Sequence, residues 1–125
     1  MIDDFIPDHK FILDEHGIPR KEKSVMKWVT WYERSCETGE RSVALTKLEG
    51  CDVSTVFLGL DHGFGSEIPI VWETMVFGGP LDREMWRCGG TREQAEAQHE
   101  SVVALVEKEM LFEQRNQGKD DEQSS

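Results

Sequence analysis

The stretch Asp61–Glu67 reads DHGFGSE and sets an imidazole among carboxylates. With Glu73 and Asp82 downstream, it carries the groups needed for general acid–base chemistry or for holding a hard cation. His62 titrates near neutrality, and Asp61, Glu67, Glu73 or Asp82 could orient it or coordinate beside it. Spacing limits that reading. Asp61 and His62 are neighbours and point to opposite sides of an extended strand, so only a turn brings them together. A second imidazole would have to come from His99, carried across by the fold, to build a two-His, one-carboxylate site with Glu73. The structural alternative is a glycine-rich strand connection in which Asp61 closes its own turn through an Asx bond. Glu73 lies between Trp72 and Thr74 in an apolar run, where an unpaired carboxylate is costly. Arg83, Arg87 or Lys47 is therefore expected to pair with it. His99 falls on the apolar side of a helical segment and is expected to be a core histidine bonded to a backbone carbonyl. The glycines of GFG and GGP lack the GK[ST] of a phosphate loop, and Ser54 and Ser66 lack a nucleophile-elbow context. No established catalytic motif is present, no cofactor or metal is implied, and Asp61, His62 and Glu73 remain the candidates if the protein is an enzyme.

Several elements must position these residues. Lys10–Leu13 reads as a short strand ended by DEHG, with Ile18-Pro19 as an edge return. Ser24 fits a helix N-cap before Val25–Ser35, whose Val25, Trp28, Val29, Tyr32 and Cys36 share a face widened by Met26 and Trp31. Such an aromatic face is expected to pack on a sheet. Ser42–Leu48 and Val53–Leu60 flank Glu49-Gly50 as a β-hairpin. Ile68–Phe77 and Glu84–Cys88 follow as strands. Thr91 and Gln94 form a capping box opening a helix to about Phe112, with Ala95, His99, Val102, Val103, Val106 and Met110 on one side. This order predicts an α+β domain over residues 1–112, an antiparallel sheet of four to five strands with two helices on one face. Residues 1–8 read as a loose lead-in, and 113–125 as a disordered polar tail.

Composition narrows the partners. The chain has 125 residues and a net charge of −11, so phosphate backbones and anionic lipid heads repel it. Direct nucleic-acid binding and membrane association are not expected, whereas an acidic surface can imitate nucleic acid toward a protein that binds it. Cys36, Cys51 and Cys88 are widely spaced, without a CxxC pair, and suit a reduced cytoplasmic protein. No apolar stretch has secretory or membrane-spanning length.

The runs VFLGL and IVWETMVF are apolar on nearly both faces, as strands are when both faces are covered. Two helices cover only one. The other face is expected to meet a protein partner or a second copy of the chain around Phe57, Trp72, Met75 and Phe77, with Glu73 as a polar anchor. Asp61, His62 and Phe64 would stand at its rim.

STVFLGLDHGFG followed by ETMVFGG, with FILDEHGIP and KWVTWYE before and TREQAEAQHE after, resembles a group of small uncharacterised proteins of tailed bacteriophages and prophages. The likeness spans about His9 to Val106. Glu67-Ile68-Pro69, Trp72 and MWRCGG depart from that pattern. It implies an accessory protein in an infected or lysogenic bacterium that binds a host or antiviral protein, without an assigned activity.

Overall fold

The computed structural model describes residues 9–63 and 67–124, with side chains through residue 116. The lead-in 1–8, Phe64 and Ser66 lie outside the described residues. Strands β1 (Phe11–Leu13) and β2 (Pro19–Lys21) form a small antiparallel pair. Helix α1 (Val25–Thr38) follows. Then β3 (Ser42–Leu48), β4 (Cys51–Phe57), β5 (Ile70–Phe77) and β6 (Met85–Gly89) build a four-stranded antiparallel meander in sequential order. Helix α2 (Arg92–Ser124) crosses that sheet and contacts all four of its strands. This is the α+β architecture expected, with the first hairpin standing as a sheet of its own.

Local chemistry accounts for the elements. Asp14 holds the β1–β2 turn: Oδ1 accepts from the His16 and Ile18 amides at 2.8 and 3.0 Å, and Oδ2 from Arg20 Nε at 2.9 Å. Those bonds favour the ionised carboxyl and pull its pKa down to about 2. Ser24 caps α1 by accepting from the Lys27 amide, and Gly39 closes it in the left-handed conformation. At α2 the capping box is reciprocal: Thr91 N donates to Gln94 Oε1 at 2.8 Å, and Gln94 N to Thr91 Oγ1 at 3.2 Å. The sequence reading ended α2 at Phe112. It runs on to Ser124: Glu, Gln and Arg are good helix formers up to Gln117, and Gly118 does not end the helix.

Register divides the sheet into two faces. Val53 pairs with Val76, Thr55 with Thr74 and Phe57 with Trp72. These six are buried beneath the helices. Two apolar clusters flank the threonine row. Phe11, Leu13, Phe57, Val71, Trp72 and Ala95 form one; Cys51, Val53, Val76, Val102, Val103 and Val106 form the other, with Met110 packed against it. Helix α1 reaches the first through Trp31, whose ring meets Phe57 edge-on at 5.8 Å. Trp28 Nε1 donates to the carbonyls of Phe11 and Gly59 at 3.1 and 3.0 Å. Gly59 has φ +80, and a Cβ there would lie 3.3 Å from the Tyr32 ring, so glycine is required. Arg41 fastens α1 to β4. Its guanidinium lies 4.1 Å from the Tyr32 ring centre, and Nε donates to the buried Ser35 hydroxyl at 2.9 Å.

Two details of the strand reading change. β4 ends at Phe57, not Leu60; its burial alternates strictly, as in a strand covered on one face. In β5, Val71 and Trp72 are both buried because the register against β6 shifts between Ile70 and Trp72. That irregularity, and not two covered faces, produces the continuous apolar text IVW.

Candidate functional site

The acid–His–acid residues are placed by separate elements and do not converge. Asp61 is buried, and its Oδ1 accepts from the Gly63 amide at 2.7 Å and the Ile70 amide at 2.9 Å. The first is the Asx bond expected from the sequence; the second ties the loop to the start of β5. His62 is half-buried, and its amide donates to the Ile70 carbonyl at 2.9 Å. Glu67 is exposed at the far end of the same connection. Asp82 belongs to the β5–β6 turn, where it accepts from the Gly78 amide at 2.6 Å. Glu73 stands mid-strand on the face away from the helices and pairs with Arg87 at 2.9 Å. Among the described residues no group of three His, Cys, Asp or Glu side chains is placed to hold a metal ion.

His99 is a core residue, as its place on α2 suggests, but its partners are hydroxyls instead of a backbone carbonyl. Nε2 lies 2.8 Å from Thr46 Oγ1 and Nδ1 lies 2.8 Å from Thr55 Oγ1. Thr55 Oγ1 is 2.6 Å from Thr74 Oγ1. Gln98 Nε2 donates to Thr74 Oγ1 at 3.0 Å and to the Trp86 carbonyl at 3.1 Å. Because the Gln98 amide nitrogen only donates, one assignment leaves its spare hydroxyl proton on half-buried Thr46 and not on fully buried Thr74. Thr74 donates to Thr55, Thr55 to Nδ1, and Nε2–H to Thr46. Burial pushes the His99 pKa below its usual value, with Glu100 pulling weakly the other way, so the ring is neutral at pH 7. A satisfied chain of this kind orients α2 on the sheet; it presents no free base to solvent.

Burial likewise raises the thiol pKa values of Cys51, helped by Asp52 and Asp82, and of Cys88, so both stay protonated and unreactive. A pocket of about 480 Å³ opens between the β1–β2 turn, Ile68-Pro69 and the start of α2, walled by Phe11, Ile18, Pro19 and Val71. His16, Arg92 and Glu93 line it as well.

The face of the sheet turned away from the helices holds the remaining candidates. Leu45 pairs with Ser54, Ser54 with Met75, and Met75 with Met85, so one row crosses all four strands. Leu45, Phe77 and Met85 are 55%, 49% and 46% exposed. Val56 and Met75 are half-buried beside them. Of the surface expected from sequence, Met75 and Phe77 are here. Phe57 and Trp72 are not: both are fully buried on the opposite face, their rings 5.2 Å apart. The sequence reading missed Leu45 and Met85. Counting alternate residues outward from the Glu49-Gly50 turn places Leu45 opposite Ser54 and would have found it.

Comparison with protein-family models, curated proteins and solved structures finds no match for this chain. No helix among the described residues is long and apolar enough to cross a membrane.

Proposed function

We propose that this protein is a non-catalytic association domain that meets a protein partner through the uncovered face of its four-stranded sheet. The observation that carries the reading is the apolar row Leu45–Met75–Met85, with Phe77 and Val56 next to it, on the face that neither helix covers. Met75 and Met85 adjoin across the strands and Leu45 stands beyond the small Ser54; exposed apolar residues grouped in this way mark an association surface. The catalytic alternative needs Asp61, His62 and Glu73 in one place. Asp61 is instead occupied by two backbone amides and Glu73 by Arg87 on the other side of β5. The sequence likeness to small phage and prophage proteins supports an accessory role in an infected or lysogenic bacterium, acting in its cytoplasm on a host or antiviral protein.

A photo-crosslinking residue tests the surface directly. Placed at Phe77 in cells, p-benzoylphenylalanine should yield a discrete adduct whose mass identifies the partner. The same residue at Phe112, on the outer side of α2, should yield none. Adducts from position 112 and not from position 77 would refute the reading. They would favour the nucleic-acid mimic, for which the exposed Glu93, Glu96, Glu100, Glu107 and Glu113 along α2 supply the charge.

A further inference from the structure

Charge on the open face differs from charge on the rest of the chain, and that difference selects the occupant. The whole chain carries −11. On the strands of the open face, Lys47 lies directly across from Asp52, and Glu73 across from Arg87. Glu73 is ion-paired with Arg87 and Asp52 has a basic cross-strand neighbour, so these four side chains sum to zero and the surplus of negative charge lies elsewhere. On the uncovered face another strongly acidic molecule can approach closely without meeting a net like charge. It is also self-complementary: a two-fold axis lying in the interface sets the Leu45–Ser54–Met75–Met85 row against the same row of the other copy. Both signs of charge are then available at the rim.

We infer that the open face is covered by a second copy of this chain, sheet face against sheet face. The inference rests on the reading that this face is an association surface and names its partner. Strands about 4.8 Å apart and about seven residues long give a footprint of about 400 Å² per copy. That is below the roughly 800 Å² per partner of standard stable complexes, so the dimer forms reversibly with concentration. Its apolar, charge-balanced contact must overcome repulsion between two acidic bodies, so added salt strengthens it by screening that repulsion. A complex held by the acidic surface would respond in the opposite sense.

Sedimentation velocity of the full chain from micromolar to millimolar concentration, at low and high salt, tests this. The expected result is a shift from monomer toward dimer with concentration, favoured by salt. Leu45→Glu and Met85→Glu should each weaken association by about tenfold or more. Leu105→Glu, on the outer side of α2, should leave it unchanged. Leu45, Met85 and Leu105 are all partly exposed, and an unchanged near-ultraviolet circular dichroism spectrum confirms that the variants fold. A monomer at millimolar concentration in high salt would overturn the inference. So would a dimer abolished by Leu105→Glu and indifferent to Met85→Glu. If the chain stays monomeric yet position 77 crosslinks to a different protein, the second copy is wrong and the association surface survives. If position 77 gives no adduct of any kind, both fail.

Discussion

The two faces of one sheet, built from alternate residues of the same strands, solve opposite problems. Under α2 the central row is polar: Thr55 and Thr74 meet at 2.6 Å and continue into His99 and Gln98, between two apolar clusters. On the far side the central row is largely apolar, Leu45, Ser54, Met75 and Met85, bordered by the Glu73–Arg87 ion pair and polar residues. A buried polar row works only if its buried polar atoms are paired, and here Thr55 Oγ1, Thr74 Oγ1 and both His99 ring nitrogens each have a partner within the chain. The apolar row is left exposed by the described residues, and burying it takes a further surface. The covered face therefore fixes the fold, and the open face is the one we propose for association.

Substitutions across this divide should separate the two roles. Trp72 is fully buried, and its Nε1 donates to the Gly90 carbonyl at 2.9 Å. Trp72→Ala should cost about 3–5 kcal/mol in urea denaturation, through the cavity and the lost contacts. Met75→Ala, three residues on and on the other face, should cost under about 1 kcal/mol. Equal losses would erase the distinction between the faces.

Thr55→Val and Ser54→Val form the next contrast. The first removes the hydroxyl that joins Thr74 to His99 Nδ1, stranding a buried acceptor at about 1–3 kcal/mol. The second adds a β-branched side chain to the open face and should change stability by less than about 0.5 kcal/mol.

A third contrast uses pH. The folded pKa of His99 is lowered, by burial first, from the ordinary 6.5. Below about that pH the unfolded chain binds a proton that the folded chain refuses, so the His99 contribution is intact above 6.5 and declines as the pH falls toward the folded value. The hydroxyls of Thr46 and Thr55 face the ring, and Glu100 is the charged neighbour. His99→Gln should flatten the fall in urea midpoint between pH 7 and 5 relative to the wild type. An identical slope in the variant would contradict the buried, neutral assignment.

A modest effect is expected of the ion pair on the open face. Arg87→Met breaks the pair with Glu73, but the Arg87 side chain is 40% exposed. The Glu73 side chain left behind is only 14% exposed, so the loss should be about 1 kcal/mol.

Much of this arrangement was legible in the residues themselves. Ser24, Thr91 with Gln94, and Gly50 mark boundaries through local hydrogen bonds and a positive φ that need no tertiary context. Parity along β5 was also available: Trp72 and Met75 are three apart and cannot share a face of a regular strand, so grouping them with Phe57 and Phe77 merged two surfaces. The irregularity between Ile70 and Trp72 was harder to see, because two adjacent buried residues look like a strand covered on both sides. The polar chain under α2 joins Thr46, Thr55, Thr74 and His99 from four elements. No sequence spacing announces it, and only strand register and the angle of the helix bring those groups within bonding distance. The Asp61 loop was the reverse case, since its acid–His pattern drew attention to chemistry while the Asx turn was the simpler local solution.

The methionines provide the most direct check on the open face. Met75 and Met85 lie on it, Met26 is exposed on α1, and Met110 packs beneath α2 against the covered side. With the methyl groups labelled with carbon-13, NMR spectra recorded from micromolar to millimolar concentration should show the Met75 and Met85 signals moving together while those of Met26 and Met110 hold still. Movement confined to Met26 or Met110, or no movement at any concentration or with any captured partner added, would contradict association through that face.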